Sequence, residues 1–354
     1  MKAYEYDKGF VPETNIEETD LVWLNVRDIP FSIHGVFYDE ALGRFIRMPQ
    51  SVADAVGTDV RWLNHHTAGG RIKFRTNSKY FAIHAVMYND DGTHYTKSMD
   101  SSFDLYYKNE TRPMTYCYTF IPPLELKGRV YESGISMDAE MFDYVLQLPL
   151  FANVYELYIG LKKDAELLPP TPYKYEKPVV YYGSSITQGG CASRPGNTHQ
   201  SIIAKHLDTD YITLGFAGNA KGEIEIAEHI AGLDMSVFVL DYDHNAPDAE
   251  HLKKTHLPFF RKVREKNPTL PIVILSAPNT MPWYDWYQAR RDAIRATCET
   301  AVAEGDENVY FIDGSDLFGD VDRDLCTLDT CHPNDLGMYR FAMTLEPVIE
   351  KLLK

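Results

Sequence analysis

The stretch Val179-Val180-Tyr181-Tyr182-Gly183-Ser184-Ser185-Ile186-Thr187-Gln188-Gly189 decides how the rest of this chain is read. An apolar run stops abruptly at Gly-Ser-Ser, and polar residues and a glycine follow. The run reads as a buried strand and its sequel as a tight turn into a helix. A serine just past the carboxyl end of a buried parallel strand lies where open α/β sheets gather their chemistry. Ser185, set off from the strand by Gly183, is the candidate nucleophile. Ser184 is its rival, and either serine could instead cap a helix.

Downstream the same grammar recurs. Strands are expected near 179–183, 210–216, 236–242, 271–276 and 308–312. Between them lie amphipathic stretches at 198–207, 248–266 and 285–304, and a last helix runs from about 334 to 353. Such alternation predicts a parallel sheet covered by helices on both faces.

A serine nucleophile needs a base, a group that orients the base, and donors for an oxyanion. Asp329-Thr330-Cys331-His332-Pro333-Asn334-Asp335, just before the last helix, offers the first two. His332 can take the hydroxyl proton and return it to a leaving group. Asp329, three residues earlier, is one tight turn from the His332 ring. Gly218, after the second expected strand, and Asn245, after the third, are the oxyanion candidates, along with the Ser185 amide. Each has a plainer reading, as a turn glycine and a helix N-cap. Their order along one sheet edge makes the set stronger than its members.

Composition narrows the partners. Lys and Arg number 35 against 51 Asp and Glu, a formal charge of −16, which disfavours nucleic acid and anionic membrane surfaces. No apolar run reaches the roughly 18 residues of a membrane span, and the N-terminus has no signal-like apolar core. Five scattered cysteines, without a C-x-x-C pair, read as reduced thiols in a cytoplasmic protein. No nucleotide-binding loop and no metal-site spacing is present, so neither a cofactor nor a metal is expected.

Residues 1–165 read differently, as an all-β sandwich or jelly roll. Strands rich in Tyr, Phe, Ile and Val are expected near 71–76, 80–87, 102–107, 115–121 and 154–160. Residues 166–177 hold three prolines, with Pro178 next, and read as a stiff linker. Residues 178–354 form the α/β domain.

The four blocks around Ser185, Gly218, Asn245 and Asp329–His332 resemble the SGNH (GDSL-type) hydrolase superfamily, whose catalytic domain is a three-layer α/β/α sandwich. The departures are Ser184, where the commonest form has Asp, and Tyr242-Asp243-His244-Asn245 in place of a clean G-x-N-D. Ser102-Phe103-Asp104-Leu105-Tyr106 is similar to the G-x-D-L-Y motif of a β-sandwich domain fused to some SGNH esterases, with Ser in place of Gly. The resemblance implies a serine esterase that removes O-acetyl groups from plant-polysaccharide oligosaccharides. Alternatives are a lipase or thioesterase on another acyl ester, and a carbohydrate-binding protein with an inert hydrolase domain. The oligomeric state is left open.

Trp283 and Trp286, in Met281-Pro282-Trp283-Tyr284-Asp285-Trp286-Tyr287 after the fourth expected strand, are candidates to line the substrate pocket, since indole faces suit sugar rings. Cys331 reads as a small packing residue, His244 as no metal ligand, and Arg290-Arg291 as a solvated helix face.

Overall fold

The computed structural model describes residues 1–89, 95–126, 129–281 and 284–353. The chain falls into two units. One comprises Met1–Arg47, His65–Pro172 and Arg194–Gly196, the other Met48–Asn64, Tyr173–Ser193 and Asn197–Lys354.

The first unit is built from antiparallel sheets. One runs in the order Leu21–Asn25, Ala152–Lys162, Tyr80–Asn89 and Val130–Ser136. The other runs Leu167–Leu168, Arg71–Thr76, Phe142–Gln147, Phe103–Lys108 and Thr115–Phe120, with Ser32–His34 also paired to Arg71–Thr76. Alternate residues point inward, as the pleat requires: Phe81, Ile83, Ala85 and Met87 from the first sheet share one core with Ile72, Phe74, Leu105 and Leu146 from the second. Asp104 is fully buried, and its carboxylate accepts hydrogen bonds from Thr119 Oγ1, Arg194 Nη1 and the Gly196 amide, each at 2.7 Å. Tyr106 Oη also meets Arg194 Nη1, at 2.5 Å. The Asp-Leu-Tyr motif thus presents its two polar side chains to one arginine. The proline-rich segment is held rather than free. Leu167–Leu168 pairs with Arg71–Thr76, and the Thr171 amide and hydroxyl donate to Asp143 at 2.7 and 2.8 Å.

The second unit is a three-layer α/β/α domain. Its five parallel strands lie in the order Thr209–Gly215, Tyr175–Gly183, Val237–Asp241, Ile272–Leu275, Val309–Ile312. The chain steps from its first strand to one side, then returns past it to the other. The carboxyl end of Tyr175–Gly183 is therefore a switch point, where such sheets open a crevice. The helices His199–Leu207, Ile224–Ala231, Ala249–Lys266, Asp285–Ala303 and Asp335–Leu352 cover the sheet. Val180, Tyr182, Leu240 and Ile274 pack against Phe259, Val263 and Ile294 in a core that Met48, Ala53, Val60 and Leu63 also join. Among the described residues no helix is long and apolar enough to cross a membrane.

Candidate active site

The turn after Tyr175–Gly183 separates the two serines. Ser184 is extended, and its Oγ accepts the Ile186 amide at 3.1 Å, so it caps the short helix Ser185–Gln188. Ser185 opens that helix and is 8% exposed. Gly183 is required by close approach: a Cβ there would overlap the Asp241 carbonyl oxygen and the Thr187 hydroxyl. The strand thus ends hard against its neighbour, and Ser185 is held at the rim.

Asp329 and His332 share one turn. Asp329 Oδ1 accepts the Cys331 and His332 amides at 3.1 and 2.7 Å, and Oδ2 lies 2.7 Å from His332 Nδ1. Between them Thr330 is left-handed, with φ +69°, a conformation that costs a β-branched residue roughly 1–2 kcal/mol. The carboxylate therefore both holds the turn and orients the ring. Burial alone would raise the Asp329 pKa; the hydrogen bonds from His332 outweigh it and hold the carboxyl below the usual range. A carboxylate only accepts, so the proton sits on Nδ1 and the lone pair on Nε2. Ser185 Oγ lies 2.8 Å from that Nε2 and donates to it. Gly190, unremarked in the sequence, makes room for this contact: a Cβ there would stand 2.9 Å from the Ser185 carbonyl oxygen and 3.2 Å from His332 Cδ2.

Gly218 has φ +71°, and nothing lies within 4 Å of where its Cβ would be. Asn245 stands in the turn Asp243–Asn245 and is no N-cap; Asp248 caps the helix that follows. Asn245 Nδ2 donates to the Phe216 carbonyl at 2.8 Å, which fixes the amide and uses one of its two hydrogens. Trp286 is 40% exposed and lies over the Arg290 guanidinium, 4.2 Å from ring centroid to Cζ. Trp283 lies outside the described residues.

Arg290 does not lie on a solvated face. It is 1% exposed, and its Nε donates to Asp243 Oδ1 at 2.8 Å. Its Nη2 also reaches the Asp243 and Ala246 carbonyls. A carboxylate buried in the turn beside Asn245 needs a cation, and this helix supplies it. Cys331 likewise is more than packing, since its Sγ lies 3.6 Å from His244 Nδ1. Among the described residues, no group of three or more His, Cys, Asp or Glu is arranged to hold a metal ion.

Comparison with known proteins gives the family of both halves of the chain. Residues 176–350 match the GDSL-like lipase/acylhydrolase family, and residues 21–167 match the N-terminus of SGNH-hydrolase-type esterases, the GxDLY domain. A protein of Bacteroides ovatus described as a GDSL-like lipase is 26% identical, with a TM-score of 0.83 over 94% of this chain and 98% of that one. A salicylyl-acyltransferase from a tetracycline biosynthetic pathway is 20% identical, with a TM-score of 0.77 over 95% and 98%. An acetyl xylan esterase of the rumen bacterium Butyrivibrio proteoclasticus is 14% identical, with a TM-score of 0.59 over 94% and 98%. The last two share the fold. No curated protein matches the sequence.

Proposed function

Since the chain belongs to the GDSL-like lipase/acylhydrolase family, and so is an ester hydrolase, we propose that it removes acetyl groups from acetylated oligosaccharides, with Ser185 as nucleophile, His332 as base and Asp329 as the group that orients His332. The observation that carries the reading is the relay Ser185 Oγ–His332 Nε2–His332 Nδ1–Asp329 Oδ2, at 2.8 and 2.7 Å.

Ser185 Oγ attacks the acetyl carbonyl carbon while its proton passes to His332 Nε2. The carbonyl oxygen becomes an oxyanion held by the amides of Ser185 and Gly218 and by the second hydrogen of Asn245 Nδ2. Asp329 stabilises the imidazolium. Nε2 then gives its proton to the sugar oxygen, the C–O bond breaks, and the alcohol leaves. Water repeats the sequence on the acyl-enzyme: His332 takes its proton, hydroxide adds to the carbonyl, and acetate departs as Ser185 regains its hydrogen. Removing one oxyanion donor typically costs ~10²–10³ in rate. Trp286 offers an exposed indole face for a sugar ring, and the shared fold of an acetyl xylan esterase supports the substrate class. Five scattered cysteines without a C-x-x-C pair support a reducing, cytoplasmic setting.

The expected outcome for Ser185→Ala is complete loss of nitrophenol release from p-nitrophenyl acetate, with an unchanged melting temperature. Full activity in that variant removes Ser185 from the mechanism. The substrate is tested by mass spectrometry of acetylated xylo- and manno-oligosaccharides, which should lose acetyl groups stepwise. The likeness to a GDSL-like lipase favours a second reading, hydrolysis of longer acyl esters. A chain-length series separates the two, with activity falling sharply beyond acetate for a deacetylase.

A further inference from the structure

We propose that His244 and Cys331 form a positioning pair that ties the turn carrying Asp329 and His332 to the turn carrying Asn245. The inference rests on reading those residues as the acyl-transfer site.

His244 lies immediately before Asn245, and its two ring nitrogens have distinct partners. Nε2 is 3.1 Å from the Pro278 carbonyl oxygen, which can only accept, so Nε2 carries the hydrogen. Nδ1 therefore presents a lone pair, 3.6 Å from Cys331 Sγ. The thiol is the donor. Each partner stays in the state the contact needs. Burial lowers the His244 pKa against the opposing pull of Asp243, keeping the ring neutral. Burial and the nearby Asp329 push the Cys331 thiol up to about 11, keeping it protonated.

The two ends are held by different contacts. On the His244 side, Asp243 is locked by Arg290 Nε at 2.8 Å and by the Ala277 amide at 2.8 Å. Trp286 and Tyr287 flank the His244 ring, each with its centroid 6.4 Å away. On the other side, the Asp329–His332 turn passes through left-handed Thr330 and is closed by bonds to Asp329. Such a turn gains from an anchor outside itself. Cys331 supplies one: its amide donates to Asp329 and its thiol to His244. Base and oxyanion donor are thereby set at a fixed spacing. A displacement of about 1 Å in such an array can cost on the order of 10² in rate.

The test uses the full chain and p-nitrophenyl acetate. Cys331→Ala should lower kcat about tenfold while KM stays within about twofold and the melting temperature moves little. Cys331→Ser, which keeps a donor, should recover most of the loss. His244→Asn keeps an acceptor near the Nδ1 position and should lose less than His244→Ala. The double variant with Cys331→Ala and His244→Ala should be no slower than the slower single variant, because the two act through one contact. Full kcat in Cys331→Ala, or no recovery in Cys331→Ser, overturns the pairing. The Cys331 variants decide the matter even where a His244 variant fails to fold. Ser185→Ala separates this failure from failure of the site itself: an active Ser185→Ala sinks the reading of the site, whereas an inactive one beside a fully active Cys331→Ala sinks the tie alone.

Discussion

Asp329 has two duties, and an isosteric change separates them. Asp329→Asn retains an oxygen to accept the Cys331 and His332 amides, so the turn should persist. The amide nitrogen, however, would face His332 Nδ1 and force the hydrogen onto Nε2, where it blocks acceptance of the Ser185 proton. Loss of kcat by ~10²–10⁴ is expected with KM and melting temperature nearly unchanged; a variant within tenfold of the parent would contradict the tautomer assignment. The pH dependence follows from the sign of the shift. Because hydrogen bonding lowers the folded pKa of Asp329, its contribution to holding the turn is full above the usual carboxylate range and disappears only as pH falls through the lowered value. At this scale the sequence is informative where chemistry is local. Ser185 follows a strand end, and Asp329 and His332 lie three residues apart, so all three could be picked out. Gly190 and the His244–Cys331 contact could not, since each is defined by a neighbour brought in from far along the chain.

The helix Asp285–Ala303 illustrates what periodicity conceals. Arg290 and Arg291 are adjacent, and adjacent arginines read as a wet face; yet Arg290 is buried because Asp243 arrives from another strand end. Arg290→Met should therefore leave an uncompensated buried carboxylate and cost about 3–5 kcal/mol, read as a lower midpoint in urea. Adding Asp243→Asn should restore part of that stability. If Arg290→Met is as stable as the parent, the Arg290–Asp243 pair does not hold this turn. The strand Phe103–Lys108 poses the same difficulty. Its Asp104 looks like a polar residue interrupting a strand until Arg194 and Gly196, which follow the serine turn in sequence, are seen to hydrogen-bond to it.

Across the whole molecule, burial of neutral histidines sets the response to acid. His66 in the first unit, and His199 and His256 in the second, are each pushed by burial to about 3. Unfolded, they would take up protons near the ordinary value of about 6.5. Their folded-state pKa is depressed, so stability is full above the unfolded value of about 6.5 and falls as pH drops below it, by roughly 2 kcal/mol per histidine between pH 6.5 and 5. Most carboxylates stay ionised in that window. Melting temperatures at pH 7.5 and 5 should therefore differ by several degrees, and equal values would mean that these rings are hydrated. The two grammars of the chain, strands first and then strand–helix alternation, were legible because each period is written in consecutive residues. That Met48–Asn64 packs with the second unit was not: two short helices carry no sign of which core they will join, and only Met48, Ala53, Val60 and Leu63 lying against the sheet reveals it.

Thr330 bears on any effort to breed a hardier enzyme. Its left-handed backbone is one that asparagine or glycine adopts at little cost and threonine does not. A library screened only for survival on heating should enrich those two residues at this position. The same library screened for turnover would report whether the threonine methyl group matters beside the proposed base, His332.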